Sequence, residues 1–165
     1  QIIELAEKIS GFEQLMSIVE ADLAALDAAK APDHWRASLV TGSLEFGFAD
    51  ARGKLPRVCC SIAATLHAVC QRCLEPFELT VECETDLLLL GLEEVADGYD
   101  DHEVWELDES MLRPLDIVEE LLIMALPFSA MHVDLESCTA LSAEPDNREE
   151  MTTPFAALRE QMTQD

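Results

Sequence analysis

Basic residues are scarce in this sequence. Ten Lys and Arg stand against 34 Asp and Glu, a formal net charge of −24. Nucleic-acid binding draws most of its affinity from cations on phosphates, so the usual footprint of an RNA-binding surface is missing. Long apolar runs are missing too: none approaches the ~20 residues that a membrane-spanning helix needs. No basic-plus-apolar signal segment follows Gln1. Glycine is sparse, with six scattered residues, and there is no phosphate-cradling glycine loop, H-E-x-x-H pair or Ser-His-Asp grouping. Glu119 and Glu120 are adjacent, so they leave a helix on different faces and make no catalytic carboxylate pair. A non-enzyme is expected.

What is present is a chain of 165 residues, 49% of them hydrophobic, enough for one domain with a real core. Residues 1–138 read as a single α+β domain, and residues 139–165 as an acidic, loosely attached tail. That tail ends in a short apolar helix start, Pro154-Phe155-Ala156-Ala157-Leu158. The acidic surface repels RNA and favours a basic partner, as ribosomal and other RNA-coating proteins are. Halotolerance or plain solubility gives the same surface. Six cysteines, of which only Cys70 and Cys73 have motif spacing, do not make a secreted disulfide framework, so a reducing cytoplasm is expected.

In chain order, residues 1–30 carry apolar residues at three- and four-residue spacings, which predicts helix, divided in two at Gly11. Ala31-Pro32-Asp33 is a break. From Trp35 the period becomes two, and Leu44, Phe46 and Phe48 mark a half-buried strand. Val58, Cys60, Ile62, Ala64, Leu66 and Ala68 share one parity of a strand long enough to suggest a bulge. Phe77, Leu79, Val81, Cys83, Leu87 and Leu89 do the same in the next, with acids on the wet face. Residues 91–103 read as an acidic loop, and Val104–Leu107 as a short returning strand. Pro114 and Pro127 bracket a helix, apolar nearly all round and so expected to be the most buried.

Between the two long strands lies Cys70-Gln71-Arg72-Cys73. A C-x-x-C in a tight turn puts both sulfurs on one side, as a chelate or a dithiol requires. Three readings stand: half of a structural zinc site, a metal-free tip with reduced thiols, or a redox dithiol. The last needs a helix N-terminus or nearby cations, and only Arg72 lies within the motif. Cys59, Cys60 and Cys83 read as small hydrophobes. His67 and His102 read as surface residues.

The order of motifs resembles the bacterial YceD-like family, the large ribosomal RNA subunit accumulation proteins. The resemblance rests on Cys70-Gln71-Arg72-Cys73-Leu74-Glu75-Pro76-Phe77, an acidic loop, and Leu115-Asp116-Ile117-Val118-Glu119-Glu120-Leu121-Leu122 closing on Ala125-Leu126-Pro127. His132, Cys138 and Pro154-Phe155-Ala156-Ala157-Leu158 complete it. It implies a cytoplasmic protein needed for normal levels of large-subunit ribosomal RNA, with metal-binding character. By position it implies Cys70, Cys73 and Cys138 as ligands, with His132 as the fourth, and zinc as the metal. The further cysteine-rich segment of some members is replaced here by Thr139-Ala140-Leu141 and acidic residues.

The expected fold is therefore an antiparallel sheet built on a long hairpin with the C-x-x-C at its tip, packed by a buried helix and N-terminal helices. The expected function is a non-catalytic factor in large-subunit assembly, acting through a basic ribosomal or assembly protein, with direct RNA binding doubtful. The alternative is a thiol-disulfide or metal-handling protein using Cys70 and Cys73.

Overall fold

A computed structural model describes residues 1–50, 52, 54–91, 102–107 and 112–138. The elements run β1 (Ile2–Lys8), α1 (Glu13–Leu23), β2 (Leu39–Phe48), β3 (Pro56–Val69), β4 (Pro76–Gly91), β5 (Glu103–Leu107) and α2 (Pro114–Ala125). The strands form one sheet in the order β1-β2-β3-β4-β5. The acidic loop's residues 92–101 and the tail 139–165 lie outside the described residues.

β3 and β4 form the spine, 14 and 16 residues long, far beyond the usual strand of about five or six. They pair antiparallel in unbroken register from Arg57↔Leu88 to Val69↔Pro76, so the expected bulge is absent from this ladder. Val58, Cys60, Ile62, Ala64, Leu66 and Ala68 are the buried parity. The sheet is mixed, not purely antiparallel: β5 runs parallel to β4, from Leu87↔Glu103 to Gly91↔Leu107. The expected strand is present but does not run back antiparallel to its neighbour. Parallel pairing is a non-local choice that no residue within β5 specifies.

The largest correction is at the N-terminus. Ile2–Lys8 is an edge strand paired antiparallel with β2, Ile2↔Glu45 through Lys8↔Leu39, and not a helix. A single 3₁₀ turn, Ile9–Gly11, then leads into α1, so one N-terminal helix is present where two were expected. That helix stops at Leu23, before the run of alanines. Trp35 belongs to a 3₁₀ turn and is buried, so it does not begin a strand.

Both helices cover one face of the sheet. Leu15, Val19 and Leu23 of α1 repeat every fourth residue and are buried against β3. On α2, Pro114 opens the first turn, where its missing N–H costs nothing. Pro127 forces Leu126 into extended backbone (ψ 133°) and ends the helix. Ile117, Val118, Leu121 and Leu122 form its buried stripe, while Leu115 and Met124 are exposed. The helix is thus buried along a stripe and not all round. The core is continuous from Ile9 and Phe12 through the helices to the inward residues of β2, β3 and β4.

Close packing of β2 on β3 depends on Gly42. A Cβ there would lie 2.4 Å from the Ser61 carbonyl oxygen and 2.9 Å from the Ile62 Cα.

Candidate metal centre

The hairpin tip is a six-residue connection from Cys70 to Glu75, closed by Cys70 N–H donating to the Glu75 carbonyl at 2.9 Å. Leu74 N–H donates to the Cys70 carbonyl at 2.8 Å. Leu74 takes a left-handed conformation, φ 59°, which costs a non-glycine residue about a kcal/mol. The strained turn aims Cys70 and Cys73 into the protein, where both are buried.

Three contacts fix this tip on its scaffold. The Asp22 carboxylate, in the last turn of α1, accepts from Val69 N–H at 2.7 Å. Lys30 Nζ donates to Glu75 Oε1 at 2.6 Å. Gln71 N–H donates to the Ala130 carbonyl at 2.8 Å, which brings the irregular segment after α2 alongside.

That segment supplies the other two donors. Cys138 Sγ lies 4.0 Å from Cys70 Sγ. His132 Nδ1 lies 3.5 Å from Cys73 Sγ and 3.5 Å from Cys138 Sγ. One donor atom from each of Cys70, Cys73, His132 and Cys138 falls within 4.8 Å of every other. Bond lengths of about 2.3 Å for Zn–S and 2.05 Å for Zn–N put the donors of a tetrahedron about 3.8 Å (S to S) and 3.5 Å (S to N) apart. The four residues thus suit a tetrahedral Cys₃His zinc ion in size and in donor type. The cluster forms its own small core with Phe77, whose ring sits 4.7 Å from that of His132.

The surroundings suit thiolates as well. Burial pushes the Cys70 thiol up, but hydrogen bonds from the backbone N–H groups of Cys73, His132 and Arg72, with one from the Cys73 side chain, hold it down to about 5. Burial and the two neighbouring sulfurs push Cys138 up. It is the thiol that a divalent cation, or the Arg72 guanidinium with Nη1 at 3.8 Å, must hold as an anion. Arg72 Nη2 also reaches Met131 Sδ at 3.7 Å. A divalent ion with three thiolates carries one net negative charge, and Arg72 sits where it offsets that charge. When bound, zinc would supply a structural cross-link. Four protein donors fill a tetrahedron and leave no position for a catalytic water or for handing the metal on.

The remaining cysteines differ in kind. Burial pushes Cys60 up to about 12, and burial likewise raises Cys59 and Cys83. They are inert small side chains. The Cys70/Cys73 pair stands on a hairpin turn with no helix N-terminus, and the N–H groups that hold the Cys70 thiol down are those of the turn and of the 127–138 segment. His67 lies half-buried on the outward face of β3, and its Nδ1 is shut off from solvent and has no hydrogen-bond partner among the described residues. His102 lies 3.6 Å from Asp86. Sequence spacing alone could find Cys70 and Cys73. The fastening contacts of Asp22, Lys30 and Ala130 have no sequence signature, because each joins residues 45 or more positions apart.

A mixed sheet backed by two helices, with a hairpin tip and a distant loop converging on a Cys₃His cluster that could hold a metal ion, defines a small α+β protein. The family model for the large ribosomal RNA subunit accumulation protein YceD matches residues 58–160, well over half of the chain. The protein belongs to that family. The matched span opens in β3 and contains all four donors of the cluster. No curated protein and no solved structure matches the chain significantly.

Proposed function

We propose that the protein is a non-catalytic factor that supports accumulation of large-subunit ribosomal RNA and assembly of the large subunit, through a basic protein partner in the cytoplasm. The family match over 58–160 carries this reading. Among the described residues no helix is long and apolar enough to cross a membrane.

Charge supports the choice of a protein partner over RNA. Few cations are present, and most of those described are engaged internally. Lys30, Arg36, Arg57 and Arg113 pair with Glu75, Glu20, Asp86 and Asp116. Arg72 faces Cys138 and Met131. A cation held by an internal carboxylate gives little to a phosphate. The Cys₃His cluster is structural in this reading, holding the 127–138 segment on the hairpin tip.

Depletion of the protein in cells should lower large-subunit RNA relative to small-subunit RNA, and the parent chain should restore it. A Cys73→Ser/Cys138→Ser chain should not. Capture of the protein from lysate should retain a basic protein after ribonuclease treatment. An unchanged RNA ratio on depletion overturns the proposal.

A further inference from the structure

The sheet has a second face, and among the described residues no helix packs on it. The registers place its outward residues in rows across four strands. One row is Glu4, Ser43, Ser61 and Glu84, and the next is Ala6, Thr41, Ala63 and Glu82. Strands lie about 4.8 Å apart, so the outer members of a row stand about 14 Å apart with only hydroxyls and methyls between them. This makes a trough with a smooth floor and an acidic β4 rim at Glu82 and Glu84, while the β1 rim carries Glu4, Ala6 and, one row further on, Lys8.

Two hollows of about 480 and 520 Å³, adjacent in register, lie over β2, β3 and β4 on this face, with Glu78 lining one and Glu45 and Glu84 the other. Glu4, Glu82 and Glu84 are exposed, and among the described residues none of them pairs with a cation. Leu39, at the end of β2, exposes 53% of its surface beside the floor. The ring of His67, whose Nδ1 has no partner among the described residues, lines the same hollow opposite Glu78.

We infer that this outer face is a docking site for a lysine- and arginine-rich segment of a partner protein. The inference rests on the reading that the partner is a basic protein, and it says where that partner sits. Side chains of a single chain laid along the Ser43–Ser61 floor reach both rims. A sheet face floored with small residues admits a backbone closely, and the acids of β4 set its orientation and speed its arrival. A nucleic acid would bring its phosphates against the same acids and be repelled.

The test uses the full chain and a fluorescein-labelled peptide of alternating arginine and alanine, read by anisotropy. Glu82→Lys/Glu84→Lys on the rim is compared with Glu13→Lys/Glu120→Lys on the helices. Two Glu→Lys changes add four charges, so each pair moves the net charge from −24 to −20. Ser61→Tyr fills the floor without changing charge. The rim pair and Ser61→Tyr should each weaken binding about tenfold, and the helix pair about twofold or less. Equal losses from both pairs, or no loss from Ser61→Tyr, overturn the docking face. So does tight binding of a labelled large-subunit RNA fragment that Ser61→Tyr abolishes. In depleted cells, full rescue by the rim pair with its basic partner still captured sinks the face and spares the function. An RNA ratio that never responds to depletion sinks the function itself.

Discussion

The Glu119 carboxylate caps a helix to which it does not belong, accepting from Leu15 N–H at 3.0 Å. The same oxygen accepts from Gln14 N–H at 2.6 Å. Phe12, the residue at the helix start, has no side chain able to cap. The unsatisfied amides of α1 are met from α2, and the negative charge also suits the positive end of the helix. Glu119→Ala should therefore cost about 1–2 kcal/mol in chemical denaturation. Glu119→Gln, which keeps an acceptor but loses the charge, should recover about half. If Glu119→Ala melts like the parent, the cap contributes nothing.

For the metal centre, the purified protein should contain about one zinc per chain by elemental analysis, as one closed site requires. Strong chelators should remove the zinc and lower the melting temperature together. Cys138→Ser should abolish both the metal and the chelator effect. Protein that melts identically with and without chelator, and holds no metal as isolated, would remove zinc from the account.

Gly42 offers a test of strand packing with a built-in control. Gly42→Ala pushes a methyl into the β3 backbone and should cost about 2–4 kcal/mol. Gly47→Ala, on the same strand, meets nothing within 4 Å and should be nearly neutral. Equal melts for the two variants would show that β2 shifts freely to accommodate the methyl.

The Arg57 guanidinium donates to Asp86, with Nε to Oδ1 at 2.5 Å, and holds that carboxyl below the usual carboxylate range against a smaller opposing effect of burial. A depressed folded-state value stabilises the fold above the unfolded value near 3.9, and the gain is lost as pH falls through the folded value. Asp86→Asn should thus be less stable than the parent at pH 7 by about 1 kcal/mol or less, since the pair is about one-third exposed. The gap should close as pH falls below the ordinary carboxylate range and through the depressed folded value of Asp86. Parallel stability curves from pH 7 to pH 2 would refute the assignment.

How far the sequence could be read depended on whether each choice was local. In β3 the alternation of Ile62, Ala64 and Leu66 with Ser61, Thr65 and His67 states both the strand and its buried side. In β1, Ile2, Leu5, Ala6 and Ile9 satisfy helical spacing while Ile3 and Leu5 satisfy strand spacing. Pairing with β2, from Ile2↔Glu45 onward, decides between them. That contact is invisible in a window of ten residues. Similarly, Cys70 and Cys73 announce themselves by spacing. His132 and Cys138 lie in a segment without periodicity, and only the family resemblance pointed to them. Glu119 looked like one more helix-surface acid, since the amides it caps belong to residues about a hundred positions away.

The donors of the cluster also sit far apart along the chain. Cys73 and His132 are separated by 59 residues, and Cys70 and Cys138 by 68. A tetrahedral ion would therefore close a ring around β4, β5 and α2, and most of its leverage would fall on the unfolded chain. Tying together ends this distant removes about 4 kcal/mol of chain entropy at 25 °C in the loop-closure description, a value that changes only slowly with ring size. The ion's contribution would thus be nearly insensitive to insertions in the acidic segment between β4 and β5. That stretch could vary in length without loosening the knuckle.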